Sequence, residues 1–361
     1  MASLKSNMVF LKEYALQDSV LLYRVLRKLV FLFQNSLSVD MWRYRSIGAI
    51  ALGSFKIRYP LQFKQISNNV CVDERVYKLV RDSYRGGIID LYSAYGENVY
   101  HYDVNSSYSA AMLKKMPIGE PKELCPNLAT FDLNSFFGFL EVTIQVHPHE
   151  FPFLGTVGVN SAITIYPVGI FKISVFSEEL KYALTVNHID ILCVHRLVSY
   201  KAGYIFQGYV HLLHTKKRNT SSAGEAYIYK LLLNSLYGRL GIQKKFDLVK
   251  LVKKNTNLSS FDDDFLSQLI SDMGDYSLVS FSNKTYCQKD NLKYISDSFN
   301  VCDRGRFTRY LSVKEKYIFS APQVSSAICA YARIHIDSLK RKLWCSGYTV
   351  YYSDTDSIFT N

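Results

Sequence analysis

The sequence of 361 residues lacks the features that mark secreted and membrane proteins. Its most apolar early stretch, residues 19–33, is interrupted by basic side chains, so it predicts a buried or half-buried helix and not a membrane span. No secretory signal pattern opens the chain. Seven cysteines, an odd number without a CxxC pair, argue against a disulfide framework and against a structural zinc site. A reducing compartment fits this cysteine usage best.

Acidic residues are in the minority. The chain has 43 Lys and Arg against 31 Asp and Glu, a formal net charge of +12. This surplus indicates a polyanionic partner, either nucleic acid or an acidic membrane surface, and charge alone does not choose between them. The 28 Tyr and 22 Phe suit base stacking, although a genome-wide codon bias accounts for most of them. An apolar content of 48% and this length predict two or three folded domains.

Apolar periodicity locates the main elements of an α+β protein. Helices are predicted over residues 11–33, 106–115, 205–217, 224–240 and 321–343. Strands are predicted over 88–92 and 98–104, paired with each other, over much of 136–200, and as a hairpin over 348–359. Residues 246–320 look charged and irregular, and the three adjacent acids at 262–264 favour a solvated loop over a metal site because neighbouring side chains do not converge.

Carboxylates concentrate where these strands end. Asp354 and Asp356 lie two residues apart at the polar tip of the apolar hairpin, and Asp103 ends an apolar strand just before a helix. The alternative explanations are an ordinary polar turn for the two hairpin acids and helix N-capping for Asp103 when it is considered alone. Like charges this close repel unless a cation holds them. The three acids therefore predict a site for two Mg²⁺ ions of the kind used in phosphoryl displacement.

A helix between these acids carries a polar stripe. Lys230, Asn234, Tyr237 and Gly241 fall on one helical face, while leucines occupy the other positions. An antiparallel helix hairpin could bring Arg218 beside Lys230, where the two cations would neutralise a triphosphate. The alternative is a plain amphipathic helix with a snorkelling lysine. The nearby acids favour the nucleotide site.

Three segments, in this order, resemble the polymerase motifs of family B DNA polymerases. Tyr352–Ser357 matches the YxDTDS motif C, and Lys230–Gly238 matches the KxxxNSxYG motif B. Asp103–Ser109 is similar to motif A, DxxSLYP, with Ser107 in place of Leu and Ser109 in place of Pro. These departures soften motif A, since a lost Leu weakens packing under Tyr108 and a lost Pro loosens the turn.

The resemblance implies a role for each residue that matches a motif. Asp103 and Asp356, with the Val104 carbonyl, would bind two Mg²⁺ or Mn²⁺ ions, and Asp354 would lie close by. Tyr108 would pack under the sugar and select deoxynucleotides. The remaining implied roles concern the incoming dNTP: Lys230 and Arg218 would hold its triphosphate, and Asn234 and Tyr237 would line the nascent base pair.

Two further segments narrow the resemblance to the organellar and viral, protein-primed type. Tyr84, Gly86 and Gly87 belong to a YxGG motif that would contact the template strand, where glycines let a phosphate backbone approach. Tyr14 and Asp18 fit the third exonuclease motif, YxxxD. The other exonuclease motifs, the primer grip and the thumb are not found in this sequence, so no proofreading is expected.

The resemblance also implies a domain division. The expected order is an exonuclease remnant (1–65), a linker (66–83), palm with motif A (84–134), a first insertion (135–200), fingers with motif B (201–245), a second insertion (246–320) and palm with motif C (321–361). The insertions would bind a priming terminal protein and encircle DNA.

The sequence thus predicts a DNA-directed DNA polymerase that binds primer–template DNA and dNTPs and does not bind membranes. A monomer and a mitochondrial location are expected, with synthesis from an organellar or plasmid genome because no targeting peptide is visible. The alternatives are an inactive remnant and a module that binds DNA or a terminal protein without catalysis.

Overall fold

The computed structural model describes residues 2–67, 74–125, 131–157, 164–242, 247–253, 265–273, 276–283 and 319–361. The chain separates into two compact units, one formed by Met1–Gly241 with Ala321–Asn361 and the other by Ile242–Ser320. Helices and antiparallel sheets are both present in the first unit, which confirms the α+β class. Among the described helices, none has the length and apolar content needed to cross a membrane.

The helices are numbered in chain order. They are α1 (Ala2–Leu37), α2 (Ile47–Arg58), α3 (Pro60–Ser67), α4 (Glu74–Ser83), α5 (Ser107–Met112), α6 (Ser177–Val186), α7 (Gln207–Asn219), α8 (Ala223–Leu240) and α9 (Pro322–Cys345), with a short 3-10 turn at Met41–Arg43. The helices predicted near 106–115, 205–217, 224–240 and 321–343 are confirmed as α5, α7, α8 and α9. Helix α4 falls inside the segment expected to be a linker, where it packs on strand and helix neighbours.

The strands of the first unit form two four-stranded antiparallel sheets and a small pair. They are β1 (Ile89–Leu91), β2 (Tyr100–Asp103), β3 (Met116–Leu124), β4 (Gly138–Val146), β5 (Thr156–Val157), β6 (Thr164–Ile165), β7 (Gly169–Phe176), β8 (Ile189–Gly203), β12 (Val350–Asp354) and β13 (Ser357–Thr360). The second unit contains β9 (Asp247–Lys253), β10 (Phe265–Met273) and β11 (Tyr276–Asn283), which pair in the order β10-β11-β9.

The first sheet has the strand order β1-β12-β13-β2. The predicted hairpin near 348–359 is confirmed as β12 and β13. The predicted pairing of β1 with β2 is wrong, because the hairpin lies between them: Ile89 is opposite Asp354, and Asp103 is opposite Ser357. A later segment of chain therefore separates two strands that are neighbours in sequence, which periodicity within 88–104 could not show.

The second sheet, β3-β8-β4-β7, carries the main apolar core. Strand β4 alternates buried and half-buried residues as the sequence predicts. The strand prediction over 136–200 is wrong for Ser177–Val186, which forms α6 between β7 and β8. Helix α9 contacts α4, α5, α6 and α8, and most of its first half is fully buried. It is thus the helix around which the first unit is packed.

Two other sequence predictions need correction. Residues 19–33 were expected to be buried or half-buried, yet the side chains from Ser19 to Val25 are exposed, and full burial begins only at Leu32. Residues 246–320 were expected to be irregular, yet they contain β9, β10 and β11. The acids at 262–264 lie outside the described residues, so the solvated-loop prediction stays a prediction.

Candidate active site

The three predicted acids come together because of the strand register. Ser357, the first residue of β13, is opposite Asp354 on one side and opposite Asp103 on the other. Asp356 lies in the turn between β12 and β13, and its backbone carbonyl accepts a 2.7 Å hydrogen bond from the Val104 amide. Motif A and motif C are therefore joined by strand pairing and by a backbone hydrogen bond beside the three acids.

The turn that presents Asp356 is held in an unusual backbone conformation. Thr355 has φ +57°, a left-handed value that is rare for a β-branched residue and is retained only where surrounding bonds fix it. The Thr355 amide donates to the Ile88 carbonyl at 2.7 Å, and the Asp356 amide donates to the Asp354 carbonyl at 2.6 Å. These two hydrogen bonds fix the backbone position from which the Asp356 side chain extends.

The electrostatics of the site indicate that it is built for cations. Burial raises the pKa of Asp356, the negative charges of Asp103 and Asp354 raise it further, and Lys230 lowers it. Within the described residues, none of the three acids forms an ion pair with a basic side chain. Oxygen ligands with uncompensated negative charge are the donor set that Mg²⁺ requires. The side chains present therefore fit the divalent ions that the sequence predicts.

Two tyrosines form one wall beside the acids. Tyr108 on α5 and Tyr237 on α8 stack with their ring centroids 4.2 Å apart and their planes 8° from parallel. Burial raises the pKa of both hydroxyls, with Cys329 of α9 also close to each of them. The hydroxyls therefore stay neutral at physiological pH, and the stacked pair offers a rigid surface half-open to solvent.

The polar stripe on α8 is confirmed in part. Lys230 and Asn234 are exposed, and Tyr237 is half-buried. Lys230 and Tyr237 both lie within electrostatic reach of Asp356, and Asn234 lies between them on the same face of the helix. Gly241 does not continue the stripe, because it is buried against the ring of Tyr84, where an added Cβ would lie 2.6 Å from ring atoms. The helix begins at an N-cap, since the Ser222 hydroxyl accepts from the Glu225 amide.

Arg218 and Lys230 lie on the two helices of one hairpin, and their side-by-side placement stays a prediction. Helices α7 and α8 pack as the predicted hairpin, but Arg218 is one residue from the end of α7. Lys230 is seven residues beyond Ala223, the start of α8, and so about 10 Å along the helix axis. Lys230 is close enough to lower the pKa of Asp356, whereas Arg218 is exposed at the far end of the hairpin.

The YxGG segment packs against the turn that contains Thr355. A Cβ at Gly87 would lie 2.8 Å from the Cα of Thr355, so this glycine lets the segment approach the turn. Gly86 faces open space. The Arg81 guanidinium lies 5.0 Å from the centre of the Tyr84 ring. Gly87 is thus required by close packing inside the protein, and Gly86 is the glycine with room for a ligand.

A buried ion network, which the sequence patterns did not predict, supports this segment. The Arg333 guanidinium donates to Glu179 at 2.7 and 2.9 Å, and it donates to the carbonyls of Arg85 and Gly86 at 2.7 Å each. Arg85 donates to the same carboxylate at 3.3 Å. The sequence does contain a signal for this network. The predicted helix carries charged residues at spacings of four and three, which place Arg333, Asp337 and Lys340 on one face.

Tyr14 and Asp18 lie on one face of α1, four residues apart, and both are exposed. They are not among the residues that converge on Asp356. Ser107 and Ser109, the departures from motif A, are both buried on α5. Among the described residues, the buried Ser109 hydroxyl has no hydrogen-bond partner, which is a cost of this departure from the motif.

Comparison with solved structures gives the fold class. The chain resembles Phi29 DNA polymerase complexed with primer–template DNA, with a TM-score of 0.58 and 19% identity, over 92% of this chain and 50% of that chain. The same polymerase complexed with single-stranded DNA gives a TM-score of 0.58 over 49% of its length. The fold is therefore that of a DNA polymerase palm with helical fingers.

Sequence comparison gives the family. The family described as DNA polymerase type B, organellar and viral, matches residues 4–342. The chain belongs to this family. It is 29% identical over 334 residues to a probable DNA polymerase of Podospora anserina, covering 90% of this chain and 26% of that protein. It is 30% identical over 157 residues to the DNA polymerase of Streptococcus phage Cp-1, covering 39% and 27%. The chain thus spans about a quarter of these relatives.

Proposed function

We propose that this chain carries the active site of a template-directed DNA polymerase in which Asp103 and Asp356 bind two Mg²⁺ ions, with Asp354 beside them. The observation that carries the proposal is the placement of three acids at adjacent strand ends and their turn, none of them ion-paired within the described part of the chain, with Lys230 within electrostatic reach. Such a pair of ions, which Mn²⁺ can replace, stabilises the attacking and leaving oxygens of an in-line displacement.

The reaction is transfer of a nucleotide from a dNTP to a primer end. The primer 3′ oxygen forms a bond to the α-phosphorus, the bond to the pyrophosphate oxygen breaks, and the hydroxyl proton passes to solvent. Lys230 binds the triphosphate and Asn234 lies one turn further along the same exposed face. The stacked rings of Tyr108 and Tyr237 support the sugar and the nascent base pair.

Three further roles complete the proposal. Gly86, which faces open space, is placed to admit a template phosphate, with Tyr84 and Gly87 shaping the same segment. Arg218 binds the triphosphate only if α7 moves toward the site, because it lies at the far end of the helix hairpin. Tyr14 and Asp18 are assigned to an exonuclease domain of which residues 1–65 form a part.

Replacement of Lys230 tests the triphosphate assignment. We expect Lys230→Ala to raise the KM for dNTP about 10- to 100-fold, because one charge-assisted contact to phosphate is lost. Steady-state primer extension at varied dNTP concentration measures this. Lys342→Ala, which removes an exposed lysine from the last turn of α9, serves as the control for a general loss of positive charge. An unchanged KM in Lys230→Ala would contradict the assignment.

Replacement of Tyr108 tests sugar selection. The ring is held by its stack on Tyr237, so its edge can exclude a 2′-hydroxyl. We expect Tyr108→Ala to raise ribonucleotide incorporation relative to deoxynucleotide incorporation about 10- to 100-fold, whereas Tyr108→Phe keeps the ring and the discrimination. Competing incorporation of an rNTP and its dNTP measures the ratio. Equal discrimination by the alanine and phenylalanine variants would rule out Tyr108 as the steric element.

The partners of this site follow from the proposal. They are primer–template DNA, dNTPs and, given the organellar and viral family, a terminal protein that primes replication of linear DNA in mitochondria. We expect the chain to act as a monomer. Salt-sensitive DNA binding without primer extension would favour the alternative of a binding module or inactive remnant.

A further inference from the structure

We infer that a transition-metal site is formed by His147, His188 and Asp190, on the second sheet and separate from the carboxylate site. Their ligand atoms all lie within 4.8 Å of one another. The His147 Nε2 atom lies 2.8 Å from one oxygen of Asp190, and the His188 Nε2 atom lies 4.0 Å from the other. The chemical class of the ion is a borderline dication such as Zn²⁺.

The sheet register holds the three residues in place. Val146 of β4 is opposite Ile189 of β8, and the His147 amide donates to the His188 carbonyl at 3.1 Å, which continues this pairing by one residue. His188 and Asp190 are two residues apart and share one face of the strand. The two imidazole rings are stacked, with centroids 4.0 Å apart and planes 12° from parallel. The backbone therefore presents three ligands from two paired strand ends.

The ligand set selects the metal. Two imidazoles and one carboxylate suit Zn²⁺, which binds three protein ligands in sites that keep an open fourth position. Mg²⁺ prefers oxygen ligands and would not compete for imidazole nitrogens. Tetrahedral bonds of about 2.0–2.2 Å place ligand atoms about 3.3–3.6 Å apart, whereas the His147–Asp190 and His188–Asp190 pairs lie 2.8 and 4.0 Å apart. Ion binding therefore requires one imidazole to rotate out of the stack, so that both rings direct a nitrogen at the ion. The two neutral imidazoles carry no charge. The carboxylate therefore supplies the negative charge that partly neutralises the bound dication.

An alternative explanation needs no metal. The contact between His147 and Asp190 is a hydrogen bond if the ring carries its proton on Nε2, and it accounts for a lowered pKa of Asp190, with the negative carboxylate stabilised first by that bond. It does not account for His188, whose side chain is 76% exposed and yet stacks over His147 toward the same carboxylate. The ring stack with His147 also brings His188 beside this carboxylate without an ion, so zinc uptake decides between the two explanations.

The ion would fasten the start of β8 to the end of β4. Asn187, just before His188, is buried and bonds the Phe151 carbonyl and the Phe153 amide. Arg341 of α9 also donates to the Phe151 carbonyl, at 2.6 Å. A metal at this corner would therefore stabilise the segment that connects α6 to the sheet and contacts the C-terminal half of α9, without touching the carboxylate site.

Zinc uptake by the full chain tests the inference. Equilibrium dialysis against Zn²⁺ in excess Mg²⁺, followed by elemental analysis, is expected to give about one zinc per chain. His188→Gln and Asp190→Asn are expected to reduce this to background, and zinc is expected to raise the melting temperature of the wild type but not of these variants. Because His188 and Asp190 are exposed, their replacement leaves the core intact.

His195→Gln provides the matched control. His195 lies on the same strand and pairs with Thr143 at 2.7 Å and with the Cys193 sulfur at 3.8 Å, so it represents the competing thiol–imidazole site. This variant is expected to bind zinc like the wild type. Cobalt in place of zinc is expected to give no thiolate charge-transfer absorption. Absence of zinc uptake, uptake unchanged in His188→Gln, or a thiolate band lost in His195→Gln would each overturn the inference.

Discussion

Replacement of Asp356 by asparagine is expected to reduce the rate of primer extension with Mg²⁺ about 10³-fold. The variant keeps the size of the side chain but removes the charge that the proposal assigns to cation binding, and a loss of several kcal/mol of transition-state stabilisation corresponds to this factor. Single-turnover extension of a primed template measures the effect. Asp103→Asn should give a loss of the same order, because the two acids lie at the same strand ends.

Protein stability and DNA affinity provide the control for this result. Burial and the neighbouring acids raise the pKa of Asp356 in the folded chain. The ionised group is therefore less favourable in the folded than in the unfolded state at neutral pH, and its neutralisation removes repulsion. We expect Asp356→Asn to melt at the same temperature as the wild type or higher, and to bind DNA with similar affinity. If the rate of primer extension falls only as much as the folded fraction of the variant falls, the catalytic assignment is contradicted.

Replacement of Glu179 by glutamine is expected to destabilise the first unit by about 3–5 kcal/mol and to lower its melting temperature by about 10 °C. Glu179 is fully buried between Arg85 and Arg333. The variant leaves two buried guanidinium groups without a compensating charge. Because Arg333 also donates to the carbonyls of Arg85 and Gly86, we further expect weaker template binding. Thermal denaturation and DNA titration measure these effects.

The neighbouring residue gives a matched control. Glu178 forms a partly exposed pair with Lys181 at 2.6 Å, so Glu178→Gln should cost less than about 1 kcal/mol. An equal loss in both variants would contradict the assigned importance of the buried network.

The pH dependence of the Glu179 effect has a definite sign. Burial alone would raise the pKa of Glu179, but Arg333 and Arg85 outweigh it and lower the pKa in the folded chain. The stabilisation by the ionised form is therefore present above the unfolded-state value and is lost as pH falls through the lower folded-state value. The difference in melting temperature between wild type and Glu179→Gln should be full at neutral pH and should shrink below about pH 4. A difference that grows on acidification would contradict this account.

Local patterns in the sequence predicted the elements that carry the candidate site, because each of its motifs is a short segment. The turn at Asp354 and Asp356 and the helical stripe from Lys230 to Tyr237 each need only a few neighbouring residues to be recognised. Both appear in the structure at the predicted elements. Helix α9 was predicted from its long apolar period.

Long-range relations were not predictable in the same way. Strands β1 and β2 are separated by a hairpin that lies about 250 residues further along the chain. The helix hairpin predicted from residues 205–240 is present as α7 and α8, whereas the side-by-side placement of Arg218 and Lys230 stays a prediction. Glu179, in a helix that the strand-like pattern concealed, supplies the counter-ion for Arg333.

The polymerase proposal is tested most directly by nucleotide choice. The assay supplies each dNTP separately, with Mg²⁺, to a primed template that has one unpaired template base. The wild-type chain should extend the primer with the complementary nucleotide alone. Extension should be absent when a chelator replaces Mg²⁺ and when the Asp103→Asn variant replaces the wild type. Salt-sensitive binding of the same DNA without incorporation of any nucleotide would contradict the proposal and would favour a binding module or an inactive remnant.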